Sequence, residues 1–100
     1  MNTLKAEKRD MSIKAKKLRR EGFVTGNLFG RELEASIPLK FDKAEIERLL
    51  KVESKGGQVM LEVAGETYDA LIKEVDYNPL KGYVDEIDFQ ALVSNEKVHS

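Results

Sequence analysis

Apolar and polar residues alternate along most of this 100-residue chain. The alternation is clearest from Gln58 to Ala64, where Val59, Leu61 and Val63 would face one side. Because successive side chains of a strand point to opposite faces, this pattern predicts a half-buried β-strand. The Ala64-Gly65-Glu66 turn sends the next run back as a hairpin partner. The same reasoning predicts further strands at residues 3–9, 23–30, 33–41, 67–75 and 83–92.

One stretch follows the period of an α-helix instead. Ile46, Leu49 and Leu50 recur at i, i+3 and i+4, and predict a helix from Asp42 to Leu50 whose apolar stripe packs on a core. Asp42 can accept hydrogen bonds from the first N–H groups, and Glu45 stands where a capping box would place it. A second helix of about two turns is predicted to end at Gly22.

These elements define the fold class. Five or six strands with one or two short helices are typical of a small, mainly antiparallel β barrel or sandwich. Gly26, inside a strand pattern, predicts a bulge or a close approach of two backbones. The length fits a single domain over residues 1–93, with a polar tail at residues 94–100.

Charge changes this picture, because it is separated along the chain. Lys8 to Arg20 contains seven Lys or Arg among thirteen residues, and only Asp10 opposes them. Residues 1–20 carry a formal charge of +6 and residues 21–100 carry −7. A compact cationic segment on an acidic body suits a phosphate backbone as its partner. A solvated helix face is the alternative, but the segment lacks the i,i+4 Glu–Lys pairs that stabilise such helices.

Composition limits the classes of protein that remain. The chain has no Cys, which excludes disulfides and thiolate metal sites and suits a reducing compartment. Residues 1–5 show no apolar core of a signal peptide, and no apolar run approaches 18 residues. We therefore expect a cytoplasmic protein without a membrane partner.

Residues that carry catalytic chemistry are scarce. His99 is the single histidine, so neither a Ser-His nor a Cys-His nucleophile can be assembled in the body of the chain. No glycine-rich nucleotide loop is present, and no cofactor or small-molecule substrate is expected. Asp76, Asp85, Glu86 and Asp88 form the one carboxylate group that would suit acid–base work or Mg²⁺. The polar face of a surface strand explains them more simply.

Five segments, in order and suitably spaced, resemble the bacterial large-subunit ribosomal proteins that bind 5S rRNA, a family that includes the general stress proteins called CTC. The resemblance covers residues 4 to about 93. The segments that carry it are Leu4–Arg9 (L-x-A-E-x-R), Lys16–Gly22 (R-x-L-R-x-x-G), Val24–Gly30 (V-P-A/G-x-x-Y-G), Leu71–Gly82 (v-l-i-k-d-v-Q-x-h-P-v-x-g) and Val84–Phe89 (v-x-H-i-D-F).

The resemblance implies a closed barrel of about six strands with one to three short helices, without enzymatic activity, whose partners are 5S rRNA and the large ribosomal subunit. Asp88 matches an acidic residue that accepts a hydrogen bond from a base amino group. The CTC members' additional C-terminal domain is missing, so we expect the short form. The implied RNA-binding residues are Arg9, Lys14, Lys16, Lys17, Arg19, Arg20, Phe29, Asp76, Glu86 and Asp88.

Four of the matched positions depart from the family pattern. Asp76 replaces a common Gln, Glu86 replaces His, Thr25 replaces Pro, and Phe29 replaces Tyr. Carboxylates near phosphates are repulsive unless a cation intervenes. A divergent stress-type paralogue, with weakened RNA binding and a protein partner, is therefore the alternative to a ribosomal protein. A metal-dependent hydrolase built on Asp76, Glu86 and Asp88 is a third and weaker hypothesis.

Overall fold

The computed structural model describes residues 2–30, 36–80 and 82–92. Over these ranges the chain forms a mainly β structure with two helices. The strands and helices are, in chain order, β1 (Asn2–Lys8), α1 (Ala15–Arg20), β2 (Phe23–Phe29), β3 (Ile37–Asp42), α2 (Lys43–Val52), β4 (Gln58–Val63), β5 (Glu66–Asn78) and β6 (Tyr83–Ala91).

The six strands close into a barrel in the order β1-β3-β2-β6-β5-β4. This confirms the closed barrel and removes the sandwich alternative. Four of the neighbouring pairs are antiparallel, as expected, but β1 pairs with β4 and β2 with β6 in parallel. Parallel neighbours need long connections, and both pairs join strands that are distant in sequence.

Alternate residues of each strand point inward, and their side chains fill the barrel interior. The rings of Phe41 and Phe89 lie 5.4 Å apart at its centre, inclined at 55°. Val59, Leu61 and Val63 of β4 are at most 1% exposed, which confirms the predicted inward face. The same alternation leaves the polar residues of each strand on the outer wall.

Helix α2 begins where the sequence predicted. The Asp42 carboxylate accepts a hydrogen bond from the Ala44 N–H at 2.9 Å, and so caps the helix. Ile46 and Leu49 are buried in the core. The Glu45 carboxylate accepts a hydrogen bond from Arg48 at 3.0 Å instead of completing a capping box. The helix ends at Val52, two residues beyond the predicted end.

Helix α1 is short and basic, and it lies against β2. Leu18 is 2% exposed and pins the helix to the barrel. Gly22 ends the helical segment with a φ of +96°, a backbone conformation that glycine adopts without strain. The sequence therefore predicted both the position and the end of this helix correctly.

Gly26 marks the predicted close approach of two backbones. A Cβ added at this position would overlap the Ile87 carbonyl oxygen and lie 2.9 Å from the Ile87 carbonyl carbon. Gly26 and Ile87 are register partners in the parallel β2–β6 pair. Glycine therefore lets these two strands meet at this point.

Other predictions differ in detail or lie outside the described ranges. Strand β5 continues to Asn78 rather than ending at residue 75, with register shifts against β6 between Ile72 and Glu74 and between Asp76 and Tyr77. Residues 31–35, which include the predicted turn at 31–32, and the tail at 94–100 are not described. Within the described part of the chain, no helix is long and apolar enough to cross a membrane.

Candidate nucleic-acid interface

The polar residues of β2, β6 and β5 share one outer wall of the barrel, which we call the sheet surface. On the β2–β6 side, Thr25 is the register partner of Glu86, and Asn27 is the partner of Asp88. On the β5–β6 side, Asp76 is the register partner of Glu86. Side chains at paired positions point to the same face, so the sheet surface collects these polar groups in adjoining rows.

Helix α1 borders the sheet surface and is joined to it by Arg19. The Arg19 Nε–H donates to the Asp85 carbonyl oxygen at 3.1 Å, and its Nη2 donates to the Thr25 hydroxyl at 3.4 Å. Thr25 is fully buried, the one buried polar residue in the described ranges. Two acceptors on different strands therefore hold the Arg19 guanidinium in place.

The remaining cations of α1 are exposed. Lys16, Lys17 and Arg20 are exposed whereas Leu18 of the same helix is buried, and Lys14 precedes the first turn as an exposed residue. A helix advances about 100° per residue, so these side chains spread over the solvent side instead of converging on one point. They form a broad basic rim beside the sheet surface.

Arg9 lies just after β1 and is half-buried. Its Nη2 donates to the Ile13 carbonyl oxygen at 3.4 Å, while its Nε–H is buried and has no hydrogen-bond partner among the described residues. Burial raises the pKa of the Glu86 carboxyl, and the positive charges of Arg19 and Arg9 both oppose that rise. Both arginines therefore lie at the α1 side of the sheet surface.

Asp88 is tied to β2. Its Oδ1 accepts a hydrogen bond from the Asn27 N–H at 3.1 Å and a longer one from the Asn27 side-chain amide at 3.5 Å. No hydrogen bond from a described residue uses Oδ2. Asp88 therefore helps to hold β2 and β6 together and keeps one oxygen available to a ligand.

Glu86 and Asp76 face each other as register partners, and neither forms an ion pair with another described residue. The half-buried Glu86 carboxyl has a raised pKa, first because of burial and second because of the negative charge of Asp88, with Asp76 adding to the effect. Arg19 and Arg9 oppose this shift but do not cancel it. Ionisation of Glu86 is therefore less favourable on the sheet surface than it is for an ordinary glutamate.

Phe29 lies at the other end of the sheet surface, two residues beyond Asn27 on β2. The Lys73 Nζ stands 4.3 Å from the centre of the Phe29 ring. A cation over an aromatic face is attracted by the ring quadrupole. The ammonium group of Lys73 thus lies over one face of the Phe29 ring, so that face is not open for stacking with a base.

A shallow depression of about 220 Å³ lies between β5 and β6 and is lined by Val75 and four carboxylates. One of these, Glu74, forms an ion pair with Lys55 at 3.1 Å. Among the residues that the structure describes, no group of three or more His, Cys, Asp or Glu side chains is placed to hold a metal ion.

The structure gathers Arg9, Arg19, Asp76, Glu86 and Asp88 at the sheet surface, with Phe29 at its far end. Lys14, Lys16, Lys17 and Arg20 lie on the neighbouring basic rim. Sequence reasoning missed Asn27 and Lys73. Asn27 lies two residues from both Thr25 and Phe29 along β2, so the alternation of a strand places all three side chains on the same face and could have identified it. Lys73 contacts Phe29 across β6, and this contact depends on strand order, which the sequence pattern does not reveal.

The described residues form a small, mainly β protein, a closed six-stranded barrel bordered by a basic helix. The chain matches the sequence profile of the ribosomal L25p family over residues 4–89. With this match over most of its length, the chain belongs to the ribosomal L25p family. The resemblance seen in the sequence motifs is thereby confirmed.

Named relatives agree with this assignment. The "large ribosomal subunit protein bL25" of Caldanaerobacter subterraneus subsp. tengcongensis is 30% identical over 99 residues, and that of Caldicellulosiruptor saccharolyticus is 34% identical over 83 residues. The "general stress protein Ctc" of Bacillus subtilis is 28% identical over 100 residues.

These alignments cover 98%, 83% and 98% of this chain but 50%, 40% and 48% of the respective relatives. The chain spans about half the length of the curated relatives it matches.

Proposed function

We propose that this chain is a large-subunit ribosomal protein that binds 5S rRNA through the basic rim and the sheet surface. Membership of the ribosomal L25p family and the names of the relatives support the ribosomal role. The barrel would act as a rigid scaffold without catalytic activity. We expect the protein in the cytoplasm, where ribosomes assemble.

The position of Arg19 is the observation that carries this proposal. Its guanidinium is held by the Asp85 carbonyl and the Thr25 hydroxyl, both neutral oxygens, and it forms no ion pair with a carboxylate of the described residues. An arginine oriented in this way loses little side-chain entropy when it binds a phosphate. The exposed lysines beside it add charge that follows a phosphate backbone.

The two parts of the surface would have different tasks. Arg19, Arg20 and the lysines of α1 would contact phosphates, which supply affinity but no sequence information. The free Oδ2 of Asp88 would accept a hydrogen bond from a base amino group, which supplies selectivity. Structured RNA is recognised mainly through its shape and backbone, with base contacts at irregular loops, and a rigid wall suits this mode.

Salt dependence of 5S rRNA binding tests this proposal. We expect Arg19→Ala combined with Arg20→Ala to flatten the slope of log K against log[salt] by about one to two. A protein that contacts fewer phosphates releases fewer counterions from the RNA when it binds. The matched control is Arg48→Ala with Lys51→Ala, which removes the same charge from exposed positions of α2. An unchanged slope in the α1 variant would move the binding site elsewhere on the barrel.

The divergent stress-type paralogue remains the second candidate, because Asp76 and Glu86 oppose each other on the sheet surface. In this function the protein would bind RNA weakly and contact a protein partner instead. The similarity to a general stress protein favours it.

Restoring family-like residues separates the two candidates. Asp76→Gln with Glu86→His removes two negative charges and returns two hydrogen-bonding groups, so we expect 5S rRNA binding to tighten by about 1–3 kcal/mol. Asp88→Ala should weaken binding in the same titration. If the wild-type protein shows no specific binding and the double variant gains it, the paralogue candidate replaces the ribosomal one.

A further inference from the structure

The pairing of β5 with β6 places Asp76 directly opposite Glu86. They are register partners on β5 and β6, and like charges in directly opposed positions of a sheet repel each other. Neither carboxylate forms an ion pair with another described residue. A polyanion that approaches this surface would meet a pair of charges that is already unfavourable.

The other charged groups around Glu86 leave the pair uncompensated. On β6, Asp88 adds negative charge, while the Asp85 carboxylate accepts a hydrogen bond from the Asn78 side-chain amide. On β5, Glu74 has its own partner, Lys55.

The two arginines near Glu86 do not supply the missing partner. The hydrogen bonds of Arg19 go to a backbone carbonyl and a threonine, and that of Arg9 goes to the Ile13 carbonyl. The facing residues of β2, Thr25 and Asn27, are neutral. Among the described residues, neither carboxylate thus has an ion-pair partner, and the charges of Arg19 and Arg9 only partly offset the repulsion at Glu86.

We propose that this surface takes up a proton from solvent at Glu86 when it binds RNA, and that the resulting carboxylic acid donates a hydrogen bond to an RNA oxygen or nitrogen. The inference rests on the proposed function and adds a regulation of the same site by pH. A protonated carboxyl has one O–H donor and keeps acceptor capacity, so it matches the hydrogen-bonding ability of a Gln amide.

In the free protein the ionised form of Glu86 is already disfavoured relative to that of an ordinary glutamate. Burial, followed by the charges of Asp88 and Asp76, raises the pKa of Glu86 above its ordinary value. Phosphates brought close to the carboxyl raise the pKa further, because each negative charge disfavours ionisation. Binding and protonation therefore favour each other, and linkage requires that affinity falls as pH rises.

Titration of 5S rRNA across pH tests the coupling. Uptake of one proton changes affinity by at most about tenfold per pH unit, so we expect wild-type affinity to fall by about three- to thirtyfold between about pH 5.5 and 7.5. Calorimetry in two buffers of different ionisation enthalpy counts the protons taken up. A fall in affinity with an uptake approaching one proton supports the proposal.

Two replacements of Glu86 distinguish donation from mere relief of repulsion. Glu86→Gln keeps a donor and cannot ionise, so its affinity should be nearly independent of pH and exceed wild type at about pH 7.5. Glu86→Met has a similar length and no donor, and should bind about three- to tenfold more weakly than Glu86→Gln, the worth of one neutral hydrogen bond. Glu86 lies on the outer wall, and circular dichroism checks that both variants fold.

Controls place the proton at Glu86. Glu47→Gln removes a carboxylate from the exposed side of α2 and should retain the wild-type pH dependence. His99 is present in every variant, so a slope caused by its titration would persist in Glu86→Gln.

Three results would overturn the inference: pH-independent wild-type binding, an unchanged slope in Glu86→Gln, or equal affinity of the Gln and Met variants. Absence of RNA binding by every variant at every pH would instead refute the proposed function, and the coupling with it.

Discussion

Gly26→Ala should be among the most damaging single-methyl changes in this barrel. The added Cβ would overlap the Ile87 carbonyl oxygen and lie 3.2 Å from Cε2 of the buried Phe41 ring. Strand β2 is paired with β3 on one side and with β6 on the other, so it has no free edge towards which it can move. Relief therefore requires that the β2–β6 pair opens or that the Phe41 ring shifts.

The expected cost follows from overpacking against backbone. Overpacked cores lose about 1–3 kcal/mol and occasionally more, and here the displaced group is a strand carbonyl, so we expect about 3 kcal/mol or more. A domain of this size loses about 4–8 °C of Tm per kcal/mol, which corresponds to a fall of about 12–24 °C. That is a large part of the typical stability of a small domain.

Gly65→Ala is the matched control for this prediction. Gly65 has a φ of +84°, and a Cβ there meets nothing within 4 Å. The control therefore costs only the left-handed backbone conformation, about 1–2 kcal/mol. Thermal and urea unfolding, with the m-value as a check on two-state behaviour, compare the two variants. A Gly26→Ala cost no greater than that of Gly65→Ala would refute the close approach of β2 and β6.

Two further predictions concern α2 and Glu86. Asp42→Ala should cost about 1 kcal/mol of stability through loss of the cap, and Leu49→Ala about 2–4 kcal/mol through a core cavity, both by urea unfolding. RNA affinity should stay unchanged in both folded variants, and a large loss would contradict the scaffold role of α2. The folded state raises the pKa of Glu86 and therefore favours its protonated form. This contribution of Glu86 to the free energy of unfolding is complete below the ordinary pKa of 4.5 and is lost as pH rises through the folded-state pKa. Glu86→Gln should therefore raise Tm at about pH 7 by relieving repulsion, and the gain should vanish at about pH 4.

The sequence predicted those features of the barrel that depend on local periodicity. Alternation placed Val59 and Leu61 inside, and the i, i+3 stripe placed Ile46 and Leu49 on the core. Gly26 was predicted to mark a bulge or a close approach of two backbones, because glycine weakens a strand interior unless its backbone geometry is needed there. Each of these inferences needs only the chain within a few residues of the position concerned.

Features that depend on distant pairing were not predicted. The parallel pairing of β2 with β6 joins segments about 60 residues apart and brings Asn27 to Asp88. Strand β5 continues past residue 75, where the alternation pattern indicated its end, so Asp76 lies on the strand opposite Glu86, between two register shifts. No local pattern encodes a register shift, because it changes only which residue of a partner strand stands opposite.

The barrel places its core and the proposed binding surface on opposite faces of the same strands. On β6, Ile87 and Phe89 point inward, and Glu86 and Asp88 point outward, so a substitution on one face leaves the other largely in place. Asp88 is the exception, because its Oδ1 bonds to β2 while its Oδ2 remains available. Removing its carboxylate therefore affects both the β2–β6 contact and the binding surface. Effects of Glu86 variants on RNA affinity can accordingly be read as effects on binding, whereas those of Asp88 variants require a stability measurement beside them.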